Sequence, residues 1–227
     1  MMTMPYPTLQ NSQRKTDIWK NYRSAVFETF PDLKFEKQHV HWTNKKDVHL
    51  TADLYSGQYF IKSRHVDIWD DKLNIHNNVN YPKTGHNLPC FGMDLMGFFE
   101  KKVIIVFDFQ HPVENHLFSL PTLPKAERDY RFFEMGNHFS ENIFVRYCEF
   151  DQVDTYLPTF RYYLNLYREM VDEAQPTGED TSFYADFDTY MKKLDPILGY
   201  MSSRFGKDNA DRMMNEFFFP YADENSR

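Results

Sequence analysis

The connections between successive strand-like segments in the middle of this chain are too short for crossover helices, so a mainly antiparallel sheet is expected. Val48–Tyr55, Tyr59–Trp69, Cys90–Phe98, Val103–Phe109, Tyr130–Met135 and Ile143–Cys148 read as strands, with turn residues such as Gly57, Pro82, Gly85 and Pro112 between them. Helical periodicity flanks this stretch on both sides. Ile18, Trp19, Tyr22, Ala25, Val26 and Phe30 form one apolar face between about Thr16 and Phe30. Beyond the strands, Val153, Tyr156, Leu157, Phe160, Leu164, Tyr167 and Val171 keep helical spacing until Pro176-Thr-Gly178, with Pro158 early or at a kink. Three shorter helices are expected from about Tyr184 to Leu194, from Asp195-Pro196 to Gly206, and from Asp208 to Phe219. Helices at both ends of a β-rich middle imply an α/β fold, a single-domain α/β/α sandwich over residues 16–227 behind a flexible N-terminal segment, residues 1–15.

The 227 residues allow one sizeable core. Aromatics make up 18% of them, including 22 Phe and 15 Tyr, which suits a thick core or a broad pocket for a flat conjugated ligand. A formal net charge of -7 argues against general nucleic-acid binding, which needs a basic face. Cys90 and Cys148 both lie in apolar strand-like runs. Two buried thiols fit a reducing cytosol, and they are too few for a protein-held iron–sulfur cluster. The N-terminal residues lack a signal-peptide core, and no run reaches membrane-spanning length. A soluble, cytoplasmic monomer is therefore expected.

The glycines are too widely separated for a GxGxxG or P-loop motif, and the histidines show no paired metal-ligand spacing. There is no nucleophile elbow. Neither a nucleotide cofactor nor a metal is expected. What remains is a set of carboxylates in apolar surroundings. Asp94 lies within Leu88-Pro-Cys-Phe-Gly-Met-Asp-Leu-Met96, where alternation sets Cys90, Gly92, Asp94 and Met96 on one face and Phe91, Met93 and Leu95 on the other. An unpartnered carboxyl in such a strand tends to keep its proton, as a proton donor must. A core aspartate bonded to a backbone amide or a tyrosine is the other reading. Asp195 precedes Pro196, a pattern that caps a helix and is compatible with a place at a pocket edge. Asp108 with His111, and Glu134 with Asn137 and His138, are further polar insertions.

Leu88–Asp94, the Val103–Pro112 strand, Tyr130-Arg-Phe-Phe-Glu-Met-Gly-Asn-His-Phe-Ser140, Asp186-Phe-Asp-Thr-Tyr-Met191 and Leu194-Asp-Pro196 together resemble the ferredoxin-dependent bilin reductases. The resemblance covers nearly the whole chain beyond about residue 16, and is greatest to the phycoerythrobilin-forming type carried by cyanophages. It implies biliverdin IXα as substrate, reduced through two successive two-electron reductions. It also implies reduced ferredoxin as the single-electron donor, radical intermediates, and no bound cofactor. Asp94 matches the family's central aspartate and Asp195 the second one, associated with A-ring reduction. Phycocyanobilin-forming relatives carry a histidine 17 positions before the central aspartate, where this chain has Asn77, so phycoerythrobilin is the expected product. A one-residue slip would bring His76 into that place but would turn it to the other sheet face. Tyr81-Pro82 holds the register against it. Asn77, Arg146, Met93 and Cys90 are the expected substrate-binding residues, Arg146 as a partner for a propionate. Lys83, Lys192, Lys193, Arg204 and Lys207 are the candidate basic residues for docking an acidic ferredoxin. The alternatives are a reductase that stops after two electrons, a phycocyanobilin-forming one, or a non-catalytic bilin carrier or lyase.

Overall fold

The computed structural model describes residues 17–83, 88–99, 102–112, 139–140 and 142–223. The expected flexible segment 1–15, the strand expected over Tyr130–Met135, and Glu134, Asn137 and His138 lie outside the described residues. Seven strands, each antiparallel to the next, form one sheet in sequence order: β1 Lys34–Thr43, β2 His49–Ser56, β3 Phe60–Trp69, β4 Leu73–Pro82, β5 Cys90–Phe98, β6 Lys102–Gln110 and β7 Phe144–Cys148. The helices are α1 Lys20–Thr29, α2 Leu157–Ala174, α3 Ala185–Leu194, α4 Ile197–Phe205 and α5 Lys207–Met213. They cover the sheet from both sides, as an α/β/α sandwich requires.

One face is closed by α1 and α2. Phe91, Met93 and Leu95 of β5 and Ile105, Phe107 and Phe109 of β6 pack there against Trp19, Tyr22, Phe160, Tyr163 and Tyr167. The Phe107 ring lies 4.9 Å from Phe160 and 5.2 Å from Phe144, centroid to centroid. Each such ring taken from water contributes about 1.5–3 kcal/mol. The other face meets α3, α4 and α5, where Leu50, Ala52, Val66 and Ile68 pack on Met201, Met213 and Phe217.

Two strands are additions to the sequence expectation. β1 is an edge strand that opens Lys34-Phe-Glu-Lys-Gln and has no clean apolar alternation. β4 carries Asn74, His76, Asn78 and Asn80 on one face, residues that disfavour strands in isolation. Its side chains find partners on the packed face: Asn80 Nδ2 donates to Asn78 Oδ1 at 2.9 Å, and Ser63 Oγ donates to Asn80 Oδ1 at 2.6 Å. His76 sits beside Asp67, which also accepts from Arg23 of α1 at 2.8 Å. A buried polar ladder thus replaces the apolar one that a central strand normally shows.

The helical expectations differ at their edges. A 3-10 turn over Phe150–Tyr156 precedes α2, so Pro158 falls in the first turn of the helix, where its missing N–H costs nothing. Gln175, left-handed at φ 48°, ends α2 one residue before Pro176. Gly206 separates α4 from α5 at φ 86°, a backbone that a side chain would strain. α5 then runs into a π-helical turn over Met214–Phe218, a geometry that recurs at functional sites.

Candidate active site

The burial pattern of the two middle strands marks where the sheet is not covered. In β4 and β5 the packed-face residues are buried, while Ile75, Asn77 and Val79, and Gly92, Asp94 and Met96, are only half-buried. These six share the opposite face and line a cavity beneath α3 and α4. The cavity volume is about 230 Å³. That is just under the roughly 300–1,000 Å³ of ligand pockets. Gly92 leaves room beside Asp94, since a β-carbon there would meet nothing closer than 3.7 Å.

Asn77 and Asp94, 17 positions apart in the chain, are directly opposed in the β4–β5 register. His76 pairs with Leu95 and faces the packed side, so the register leaves Asn77 in the cavity. Asn77 Nδ2 donates to Asp94 Oδ1 at 2.5 Å. Its carbonyl oxygen accepts from Arg64 Nη2 at 2.7 Å. Arg64 comes from β3, is buried, and donates through Nη1 to the carbonyl of Phe218 at 2.9 Å. Its guanidinium lies 4.2 Å from the Phe218 ring centroid. Burial pushes Arg64 down from the usual guanidinium range, while Tyr81, Asp195, Asp94 and Asp188 pull it up. With that company it stays a cation.

Sequence reasoning missed Arg64. Its signal was available, because alternation from Val66 and Ile68 puts it on the same face of β3 as those two apolar residues. An unexplained arginine on the interior face of a central strand is worth following.

Asp195 lines the helical side of the same cavity. Its Oδ1 accepts from the backbone N–H of Ile197 at 2.8 Å, so it does cap the start of α4 while standing at the cavity wall. Asp108 of β6 is a third carboxyl there, buried, with Ser140 N–H donating at 2.9 Å and Ser140 Oγ at 2.5 Å. Burial pushes it up to about 7, against the pull of the Ser140 hydrogen bonds and with a further push from Asp94. Lys62, also buried, donates to the Phe218 carbonyl at 3.2 Å and sits 3.6 Å over the Tyr81 ring. Burial lowers it to about 7, with Asp188 resisting. Asp188 in turn accepts from Tyr81 OH at 2.8 Å and from the Tyr221 N–H at 3.0 Å.

Three expected substrate contacts are placed elsewhere. Met93 and Arg146 face the packed side of the sheet. Met93 is buried among the aromatics, and the Arg146 guanidinium lies 4.3 Å from the Phe144 ring. Strand parity puts both there, Met93 with Phe91 and Leu95, and Arg146 opposite Ile105. Cys90 is on the cavity side by parity but is buried beneath the cavity wall and does not line the space. Asp94, Asn77 and Asp195 are the three brought together.

Of the basic residues, Lys83 pairs with Glu179 at 2.7 Å and Lys207 with Asp211. Lys192 donates to Asn215 at 2.7 Å. Among the described residues no three His, Cys, Asp or Glu side chains come together as a metal site. No helix there is long and apolar enough to cross a membrane.

The profile of the ferredoxin-dependent bilin reductase family matches residues 29–220. A 15,16-dihydrobiliverdin:ferredoxin oxidoreductase of Nostoc punctiforme is 28% identical, over 83% of this chain and 84% of its own. The protein of that name from Gloeobacter violaceus is 29% identical over 94% of this chain and 93% of its own. Among solved structures, phytochromobilin synthase from tomato in complex with biliverdin superposes with a TM-score of 0.67. It covers 93% of this chain and 85% of that one at 13% identity, which is a likeness of fold.

Proposed function

Because the chain belongs to the ferredoxin-dependent bilin reductases, we propose that it carries out a four-electron reduction of biliverdin IXα to 3Z-phycoerythrobilin by way of 15,16-dihydrobiliverdin. Each two-electron stage takes up two protons. Ferredoxin supplies the electrons singly, the tetrapyrrole holds them as a radical between transfers, and the protein supplies protons. The observation that supports this reading most is the pair of carboxyl groups on opposite sides of one largely apolar cavity, Asp94 on the sheet floor and Asp195 on the helical wall. A flat conjugated substrate between them would meet one donor per face.

Each residue has a distinct task in this scheme. Asp94 delivers a proton from the floor, and Asn77, which cannot act as an acid, holds the carboxyl by its amide. Asp195 serves the second stage from the wall, kept in place by its bond to the start of α4. The apolar lining of Val79, Met96, Val106 and Phe219 excludes water, so that protons come from these groups.

A two-electron enzyme is the second reading, and one finding favours it. The relatives from Nostoc punctiforme and Gloeobacter violaceus are both named for 15,16-dihydrobiliverdin. A covalent bilin carrier has less support, since Cys90 and Cys148 are both buried. An anaerobic assay with biliverdin, ferredoxin and a reducing system decides among them. Phycoerythrobilin is the expected end product, accumulation of 15,16-dihydrobiliverdin would establish the two-electron reading, and binding with no spectral progress would sink catalysis altogether. Asp195→Asn is expected to arrest at the dihydro stage, and full conversion by that variant would reduce Asp195 to a helix cap.

A further inference from the structure

We infer that Arg64 is a positioning residue for Asp94, acting through Asn77 to set which carboxyl oxygen faces the substrate. The inference rests on the reading of Asp94 as a proton donor. A guanidinium carries only N–H donors, so the atom of Asn77 that meets it has to be the carbonyl oxygen. An asparagine amide has nearly the same shape either way round, and its partners decide its orientation. With Oδ1 taken by Arg64 at 2.7 Å, Nδ2 is turned to Asp94 Oδ1 at 2.5 Å. Arg64 cannot swing away, because Nη1 is tied to the Phe218 carbonyl and the group is stacked on the Phe218 ring.

The consequence is directional. Asp94 Oδ1 is held as an acceptor, so a proton on this carboxyl sits on Oδ2 and leaves from there. Without Arg64 the amide keeps only the long bond from Nδ2 to the Met93 carbonyl, 3.4 Å, besides Asp94 and can turn over. Asn77 Oδ1 would then accept the proton of neutral Asp94 and keep it from the substrate. The other charged or titratable groups that face this chain are Tyr81 of β4, Asp108 of β6, Lys62 of β3, Asp188 of α3, and Asp195 beyond it.

Arg64→Met, Arg64→Lys, Asn77→Leu and the Arg64→Met/Asn77→Leu pair test this. In ligand-free protein, the Asn77 side-chain amide protons, assigned by their loss in Asn77→Leu, are expected to exchange about tenfold faster in Arg64→Met and to recover in Arg64→Lys. In the pH–rate profile of biliverdin reduction, Arg64→Met is expected to lower the maximal rate about tenfold. It should also carry the alkaline limb to higher pH, since a lost cation and a lost N–H donor both favour the neutral carboxyl. In the Asn77→Leu background the same substitution should move that limb distinctly less. Equal displacement in both backgrounds would mean that Arg64 acts by charge alone, and unaltered amide exchange would also overturn the inference. If Arg64→Met does not fold, Arg64→Leu, which also lacks a side-chain N–H donor, carries the same comparison. Wild-type protein that leaves biliverdin unreduced would overturn the enzymatic reading, and amide exchange would still decide the role of Arg64.

Discussion

Both faces of the sheet carry polar groups but use them differently. On the packed face Ser63, His65, Asp67, His76, Asn78 and Asn80 are buried among partners of their own kind, with Arg23 added from α1. On the cavity face Asn77, Asp94 and Asp195 are half-buried and line open space. A polar residue in an interior strand is therefore no sign of function by itself. What distinguishes the two sets is whether their side chains are enclosed within the fold or face a cavity.

That contrast makes substitutions on the two faces fail in different ways. The largest effect is expected for Asp94→Asn. It should bind biliverdin and unfold at the wild-type denaturant midpoint, yet reduce the substrate about 10²–10⁴-fold more slowly, as loss of a positioned acid does. Wild-type turnover in that variant would erase the distinction between the faces. Phe107→Ala should do the reverse, costing about 3–5 kcal/mol in urea unfolding, because its ring is enclosed by Phe144, Phe160 and Tyr163. Asn78→Ala comes next, at about 1–3 kcal/mol, since it strips the Arg64 carbonyl and His65 of a buried donor.

The effect that is smallest per pH unit, and most discriminating, is in pH. Burial holds His65 well below 6.5, so below that value the unfolded chain binds a proton that the folded one refuses, and stability falls as pH falls. Asp108 goes the other way. Raised from 3.8 to about 7, it keeps a proton that the unfolded chain releases, and stability falls as pH rises across that window. Each contributes a slope of at most about 1.4 kcal/mol per pH unit. Denaturant midpoints across pH should lose the acid-side slope in His65→Gln and the Asp108 slope in Asp108→Asn. Slopes unchanged by either substitution would refute these assignments.

The antiparallel order and the two helical layers were legible because short connections and apolar periodicity are local properties. β4 was not, because its asparagines are stabilised by residues on β3, which no local propensity records. The link between Asn77 and Asp94 came from the family resemblance, and the β4–β5 register is what puts them face to face. Arg146 was misjudged by weighing its chemistry above its parity. Met93 was misjudged although alternation already set it with Phe91 and Leu95. Arg64 escaped because its role comes from the Phe218 carbonyl, far along the chain, as much as from its own strand.

The sequential meander has a consequence for the order in which the molecule is made. The cavity floor lies on β3 to β6 and is fully synthesised by Gln110, while α2 covers the packed face by Ala174. The helices that roof the cavity, with Asp195 and Phe218, leave the ribosome after both. A growing chain that folds from its N-terminal side would thus acquire its scaffold before its cavity is roofed. Chains stalled after α2 should resist protease over β5 and β6 and yet fail to retain biliverdin.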